Sequence, residues 1–134
     1  LLLTEIQDES INKEYQLEKG EEFVMIPEFG TLHLTEVEKF DKSATNSIFV
    51  PIRKLKFPLL IRKWKEGDYF VPFGMKGKKK LSDYFKDEKF SLPLKEQTWL
   101  LFSGEDLVWI INQRADNRFS VEKGDREILK ISFS

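Results

Sequence analysis

Apolar positions along the chain fall in short runs, several alternating with polar residues, and the runs are separated by Gly, Pro, Asn and Asp. A period of two is the spacing of a half-buried strand. It predicts strands at Phe23 to Ile26, Thr31 to Val37, Leu59 to Trp64, Trp99 to Phe102, Leu107 to Ile111, Arg118 to Val121 and Ile128 to Phe133. Within the last, Leu129, Ile131 and Phe133 share one face. The run Leu107-Val108-Trp109-Ile110-Ile111 is apolar on both faces and should lie centrally, covered on both sides. Alternation fails at Thr35-Glu36-Val37, where a bulge or a strand end is expected.

Two stretches break the β pattern. In Lys78 to Lys86, residues Leu81, Tyr84 and Phe85 fall at i, i+3 and i+4, the stripe of a short amphipathic helix. Glu5 to Glu18 gives a second, poorly phased helical candidate, and residues 40–46 read as a surface loop.

Composition narrows the class. A chain of 134 residues suits one domain spanning residues 1–134, and 40% hydrophobic content with twelve Phe can fill a core. Absence of cysteine excludes disulfides, thiolate zinc sites and thiol nucleophiles. With no apolar run near 18 residues, no membrane partner is expected, and the lack of a secretory signal fits the cytoplasm. The chain does not begin with Met and is expected to be a piece of something longer.

Net charge is −1, which alone argues against a nucleic-acid partner, but the charges are segregated. Residues 1–52 carry a net −7, residues 53–95 a net +8 and residues 96–134 a net −2. The basic block points to an anionic partner, or to acidic segments of the same fold.

Most catalytic constellations fail by absence. His33 is the only histidine, sits between Leu32 and Leu34, and reads as a structural residue. The pairs Glu36 with Glu38 and Asp87 with Glu88 read as solvated surface. Gly74-Met75-Lys76-Gly77-Lys78-Lys79-Lys80 fails the phosphate-loop pattern at Pro72 and Lys79. No catalytic residue, metal ligand or cofactor site is expected in this chain.

Two constellations remain. Gly77-Lys78-Lys79-Lys80 runs into the expected helix, where lysines oppose the helix dipole but suit a phosphate. Arg62, Lys63, Lys65 and Lys76 precede it, and Lys86 and Lys89 follow. The interleaved Trp64, Tyr69, Phe70 and Phe73 are read as packing. If extended, Arg114, Asp116 and Arg118 share a face, so one carboxylate orients two guanidiniums. That arrangement serves a phosphate ligand or a structural ion triad equally well.

At these residues the chain resembles a known family. Leu59-x-Ile61-Arg62-x-Trp64-x-x-Gly67-Asp68-x-Phe70-x-Pro72-x-Gly74-Met75-x-Gly77, continuing Lys79-Lys80-Leu81-Ser82-Asp83-x-Phe85, is similar to the C-terminal domain of bacterial tRNA(Ile)-lysidine synthetase. Val108-Trp109-Ile110 with Arg114-x-Asp116-x-Arg118-Phe119 resembles that domain's second block. The likeness covers residues 59–121, with 1–58 weakly matched.

The resemblance implies a mainly β fold, a β-sandwich of unusual topology with short helices, shared with the phenylalanyl-tRNA synthetase beta chain. It also implies a role in gripping tRNA(Ile) on the acceptor-stem side for an enzyme that uses ATP to ligate lysine to the wobble cytidine. ATP and lysine would be substrates of an N-terminal catalytic domain absent from this chain. Carried onto matched positions, the implied RNA contacts are Arg62, Lys79, Lys80, Arg114 and Arg118. Lys63, Lys65, Lys76, Lys78, Lys86 and Lys89 rest on charge alone. Gly67, Gly74 and Gly77 match as turn positions, and Asp68, Asp83 and Asp116 as orienting carboxylates. Docking onto the enzyme's own N-terminal or linker domain is the alternative, and a homodimer is left open.

Overall fold

The computed structural model describes residues 13–41 and 43–134. Eleven strands are present among them: β1 (Tyr15–Leu17), β2 (Phe23–Ile26), β3 (Gly30–Val37), β4 (Ser47–Pro51), β5 (Leu59–Lys63), β6 (Tyr69–Phe70), β7 (Lys79–Lys80), β8 (Trp99–Ser103), β9 (Asp106–Ile110), β10 (Arg114–Ala115) and β11 (Ile128–Phe133). Two short helices join them, α1 (Leu81–Asp87) and α2 (Leu92–Glu96).

The strands form an antiparallel sheet of order β1-β5-β8-β9-β10, a second of order β2-β3-β11-β4, and the small ribbon β6-β7. The two large sheets pack face to face. Leu59, Ile61, Leu101 and Val108 of the first meet Ile26, Leu32, Val50 and Ile131 of the second in one core. The opposite face of the first sheet is closed by α1, where Leu81, Tyr84 and Phe85 pack on Leu100, Phe102, Leu107 and Ile110. This double cover explains why every residue of Trp99–Ser103 is buried and why β9 is apolar on both faces. The result is a mainly β sandwich with a third, helical layer.

Several expected elements shift. Arg118 to Val121 is not a strand: a 3-10 turn occupies Asn117–Phe119, because Asp116 caps it by accepting from the Arg118 amide. The Lys78 to Lys86 helix begins only at Leu81, since Lys79 and Lys80 are extended and pair with Phe70 and Tyr69. A second helix, not expected from the sequence pattern, forms at Leu92–Glu96. Ser91 caps it, and Pro fits the first turn, which lacks an N–H partner anyway. The failed alternation at Thr35-Glu36-Val37 marks the end of β3 at Val37 and not a bulge, since these residues pair in register with β11; the register shift lies between Leu101 and Phe102. Of the Glu5 to Glu18 candidate, residues 5–12 lie outside the described residues, and Tyr15–Leu17 is strand.

Candidate nucleic-acid interface

The two sequence blocks at residues 59–89 and 108–119 meet in space, and Asp116 is the joint. Its carboxylate is 1% exposed. It accepts from the Val71 amide at 2.8 Å, from the Arg118 amide at 2.7 Å, and from Arg118 Nε and Nη2 at 3.0 and 2.9 Å. These hydrogen bonds hold the Arg118 guanidinium above its usual pKa range, against an opposing effect of burial. Arg118 also reaches Asp106 at 3.2 Å and lies 5.8 Å from the Tyr69 ring centroid.

The expected one-carboxylate, two-guanidinium triad does not form. The chain turns after Ala115, so Asp116 points inward to Arg118, while Arg114 donates instead to the Phe73 carbonyl at 3.4 Å. Asn117, which sequence reasoning did not select, is the second tie. It accepts from the Gly74 amide at 3.1 Å and donates to the Met75 carbonyl at 2.9 Å. Only its place inside the second block could have signalled this.

Arg62 is half-buried and fully engaged. Two parallel hydrogen bonds at 3.0 and 2.8 Å join it to Asp68, and its guanidinium lies 4.3 Å from the Phe102 ring centroid. Such a forked, stacked arginine anchors the β5–β6 turn. In that turn Asp68 also accepts from the Lys65 amide, and Gly67 takes a φ of +94°. Lys79 is likewise paired, to Asp87 at 2.5 Å.

The remaining cations face outward. Lys65, Lys76, Lys78, Lys80, Lys86 and Lys89 are exposed, and no described carboxylate forms an ion pair with any of them. Lys63 is half-buried with its ammonium over Trp99. Lys78 and Lys80, with Lys86 on α1, line a concavity of about 730 Å³ beside Gly67 and Tyr69. Asp83 borders it but makes no hydrogen bond among the described residues, so it is not placed as an orienting carboxylate. Because Lys79 and Lys80 precede α1 in a strand and Lys86 lies in its last turn, the concavity's charge comes from ammonium groups rather than from lysines in the first turn of a helix.

The aromatics divide. Phe70 and Trp64 pack around α1 as expected. Tyr69 and Phe73 do not: they are 38% and 56% exposed, and Met75 is 49% exposed. Tyr69 carries Lys78 on its ring at 4.6 Å. His33 is a surface residue, bonded to the Ser134 hydroxyl. No helix among the described residues is long and apolar enough to cross a membrane.

Comparison with known proteins agrees with this architecture. Residues 59–132 match the family described as the TilS substrate C-terminal domain. The tRNA(Ile)-lysidine synthase of Parabacteroides distasonis is 47% identical over 130 residues, covering 87% of this chain and 30% of that protein. Its counterpart from Bacteroides thetaiotaomicron is 41% identical, over 86% of this chain and 24% of its own length. The chain thus spans less than a third of the relatives it matches. A crystal structure of a TilS C-terminal domain superposes with a TM-score of 0.76 at 19% identity, covering 91% of this chain and 97% of that one. An N-terminal fragment of the phenylalanyl-tRNA synthetase beta-subunit from Pyrococcus horikoshii gives 0.57 at 13% identity, over 75% and 37%. The chain belongs to the family of C-terminal domains of tRNA(Ile)-lysidine synthase.

Proposed function

We propose that this chain is the tRNA-gripping domain of an ATP-dependent, cytoplasmic tRNA(Ile)-lysidine ligase, and that the lysine-lined concavity with its flanking cations contacts the phosphate backbone of tRNA(Ile) on the acceptor-stem side. In the whole enzyme, ligation of lysine to the wobble cytidine, with ATP as the activating substrate, belongs to an N-terminal catalytic domain that is this domain's partner. The observation that carries the reading is the concavity lined by Lys78, Lys80 and Lys86, which are exposed and form no ion pair among the described residues, beside Tyr69, over whose ring Arg118 of the second block lies. Asp83 and Asp87 share the concavity, but only Lys79 is paired there, so the remaining clustered ammonium groups are stabilised by an external polyanion, and phosphate contacts supply a large share of the affinity of nucleic-acid-binding surfaces.

The test is tRNA(Ile) binding by the full-length protein with Lys78→Gln and Lys80→Gln. Weaker binding with an unchanged thermal midpoint supports the reading. A lowered midpoint of the full-length protein with unchanged tRNA affinity would instead favour docking onto the enzyme's own domains.

A further inference from the structure

The segment from Pro72 to Gly77 combines two properties that rarely coincide. Its main chain is pinned from Pro72 to Met75. The Phe73 amide donates to Ala115, the Phe73 carbonyl accepts from Arg114, the Gly74 amide and Met75 carbonyl are held by Asn117, and the Met75 amide donates to Pro72. The side chains of Phe73 and Met75, however, are open to solvent, Phe73 more than half exposed and Met75 about half. A mobile loop loses conformational freedom on binding, whereas a pinned one presents its side chains already ordered.

Two described aromatic rings are more than half exposed, Phe23 and Phe73. Phe23 follows Glu21 and Glu22 in the acidic part of the chain, a poor setting for a polyanion. Phe73 is followed in the chain by the exposed Lys76 and Lys78, its carbonyl accepts from Arg114, and no described aromatic ring or cation covers its face. Tyr69 differs, because Lys78 and Arg118 already lie over it. An open π-face in a basic segment suits a nucleobase whose phosphates the neighbouring cations meet.

We propose that Phe73, supported by Met75, stacks on an unpaired or terminal base of the bound tRNA, and that Asn117 is the positioning residue that holds the loop for this contact. The inference rests on the tRNA-binding reading and assigns a separate, uncharged part of the same surface. A stacking contact releases no counterions, so it changes affinity without changing salt dependence.

The experiment measures tRNA(Ile) affinity of the full-length protein over a salt series for Phe73→Ala, Asn117→Ala and the double variant, beside Lys78→Gln with Lys80→Gln. Phe73→Ala is expected to weaken binding about 5- to 100-fold at every salt concentration, with parallel log–log slopes and an unchanged thermal midpoint. Asn117→Ala should weaken binding in the same way and add little on top of Phe73→Ala, because it acts through that ring. Unchanged affinity in Phe73→Ala, a flattened slope, or fully additive Asn117→Ala and Phe73→Ala effects would each overturn the proposal. If the lysine variant binds normally as well, the tRNA-binding reading falls with it; if the lysine variant alone is impaired, only the stacking assignment falls.

Discussion

The buried carboxylate of Asp116 grips the guanidinium of Arg118 through Nε and Nη2 while also taking the Val71 and Arg118 amides, so one side chain ties the second family block to the first. Replacing it with alanine leaves a buried amide and a two-thirds-buried arginine without their acceptor. Asp116→Ala is expected to cost about 2–4 kcal/mol of stability, read as a shifted urea midpoint. Arg118→Ala leaves a buried carboxylate with only backbone partners and should cost a comparable amount. Any loss of tRNA binding in Arg118→Ala would therefore report the fold as well as the lost charge.

Arg62 makes a second structural prediction. Lysine keeps the charge but loses the fork to Asp68 and the stack on Phe102. Arg62→Lys should lower stability by about 1–2 kcal/mol in the same unfolding assay. It should change tRNA affinity less than Lys78→Gln with Lys80→Gln.

Gly74 and Gly77 separate backbone need from open space. Gly74 has a φ of +83°, and Gly74→Ala should cost about 1–2 kcal/mol. Gly77 has no such conformation, and a Cβ there would meet nothing within 4 Å. Gly77→Ala should keep stability within about 0.5 kcal/mol, measured by the same denaturation. Any loss of tRNA affinity in that folded variant would mark close approach of the RNA.

The alkaline limb of stability should follow Tyr84. Burial, reinforced by the Glu88 charge and opposed by Arg114, raises its pKa above the ordinary 10.0. A proton held more tightly in the folded state gives a contribution that is complete below the unfolded value and is lost as pH rises through the folded one. Tyr84→Phe keeps the ring packed against Phe70 and Phe85 but removes the titrating hydroxyl. Its unfolding midpoint should fall less than the parent's as pH rises above the ordinary tyrosine value of 10.0.

Strands with a clean period of two were legible from sequence. Phe23–Ile26 and Ile128–Phe133 stand as expected, and Leu107-Val108-Trp109-Ile110 is covered on both faces by a sheet and a helix. Short strands were not. Tyr69–Phe70 and Lys79–Lys80 are two residues each, and no periodicity can be read over two positions. Ser47–Pro51 was missed because three successive residues are buried, which gives no alternation.

At the candidate site, charge segregation found the exposed lysines. It could not separate them from Arg62 and Lys79, whose partners Asp68 and Asp87 are set by tertiary geometry and local turns. The turn after Ala115 decided the fate of Arg114, Asp116 and Arg118. An Asp that accepts from the amide two residues on curls the chain, and the assumed extended geometry is lost. Phe73 read as core because exposure depends on the Asn117 hydrogen bonds, which no linear pattern encodes.

The most direct test of the account is the salt dependence of tRNA(Ile) binding by the full-length protein, with and without Lys78→Gln and Lys80→Gln. The lysine-lined surface predicts weaker binding for the variant, with a log K against log salt slope flatter by about 0.7–0.9 for each lysine removed. Coincident affinities and slopes for the two proteins, with the variant folded, would contradict it.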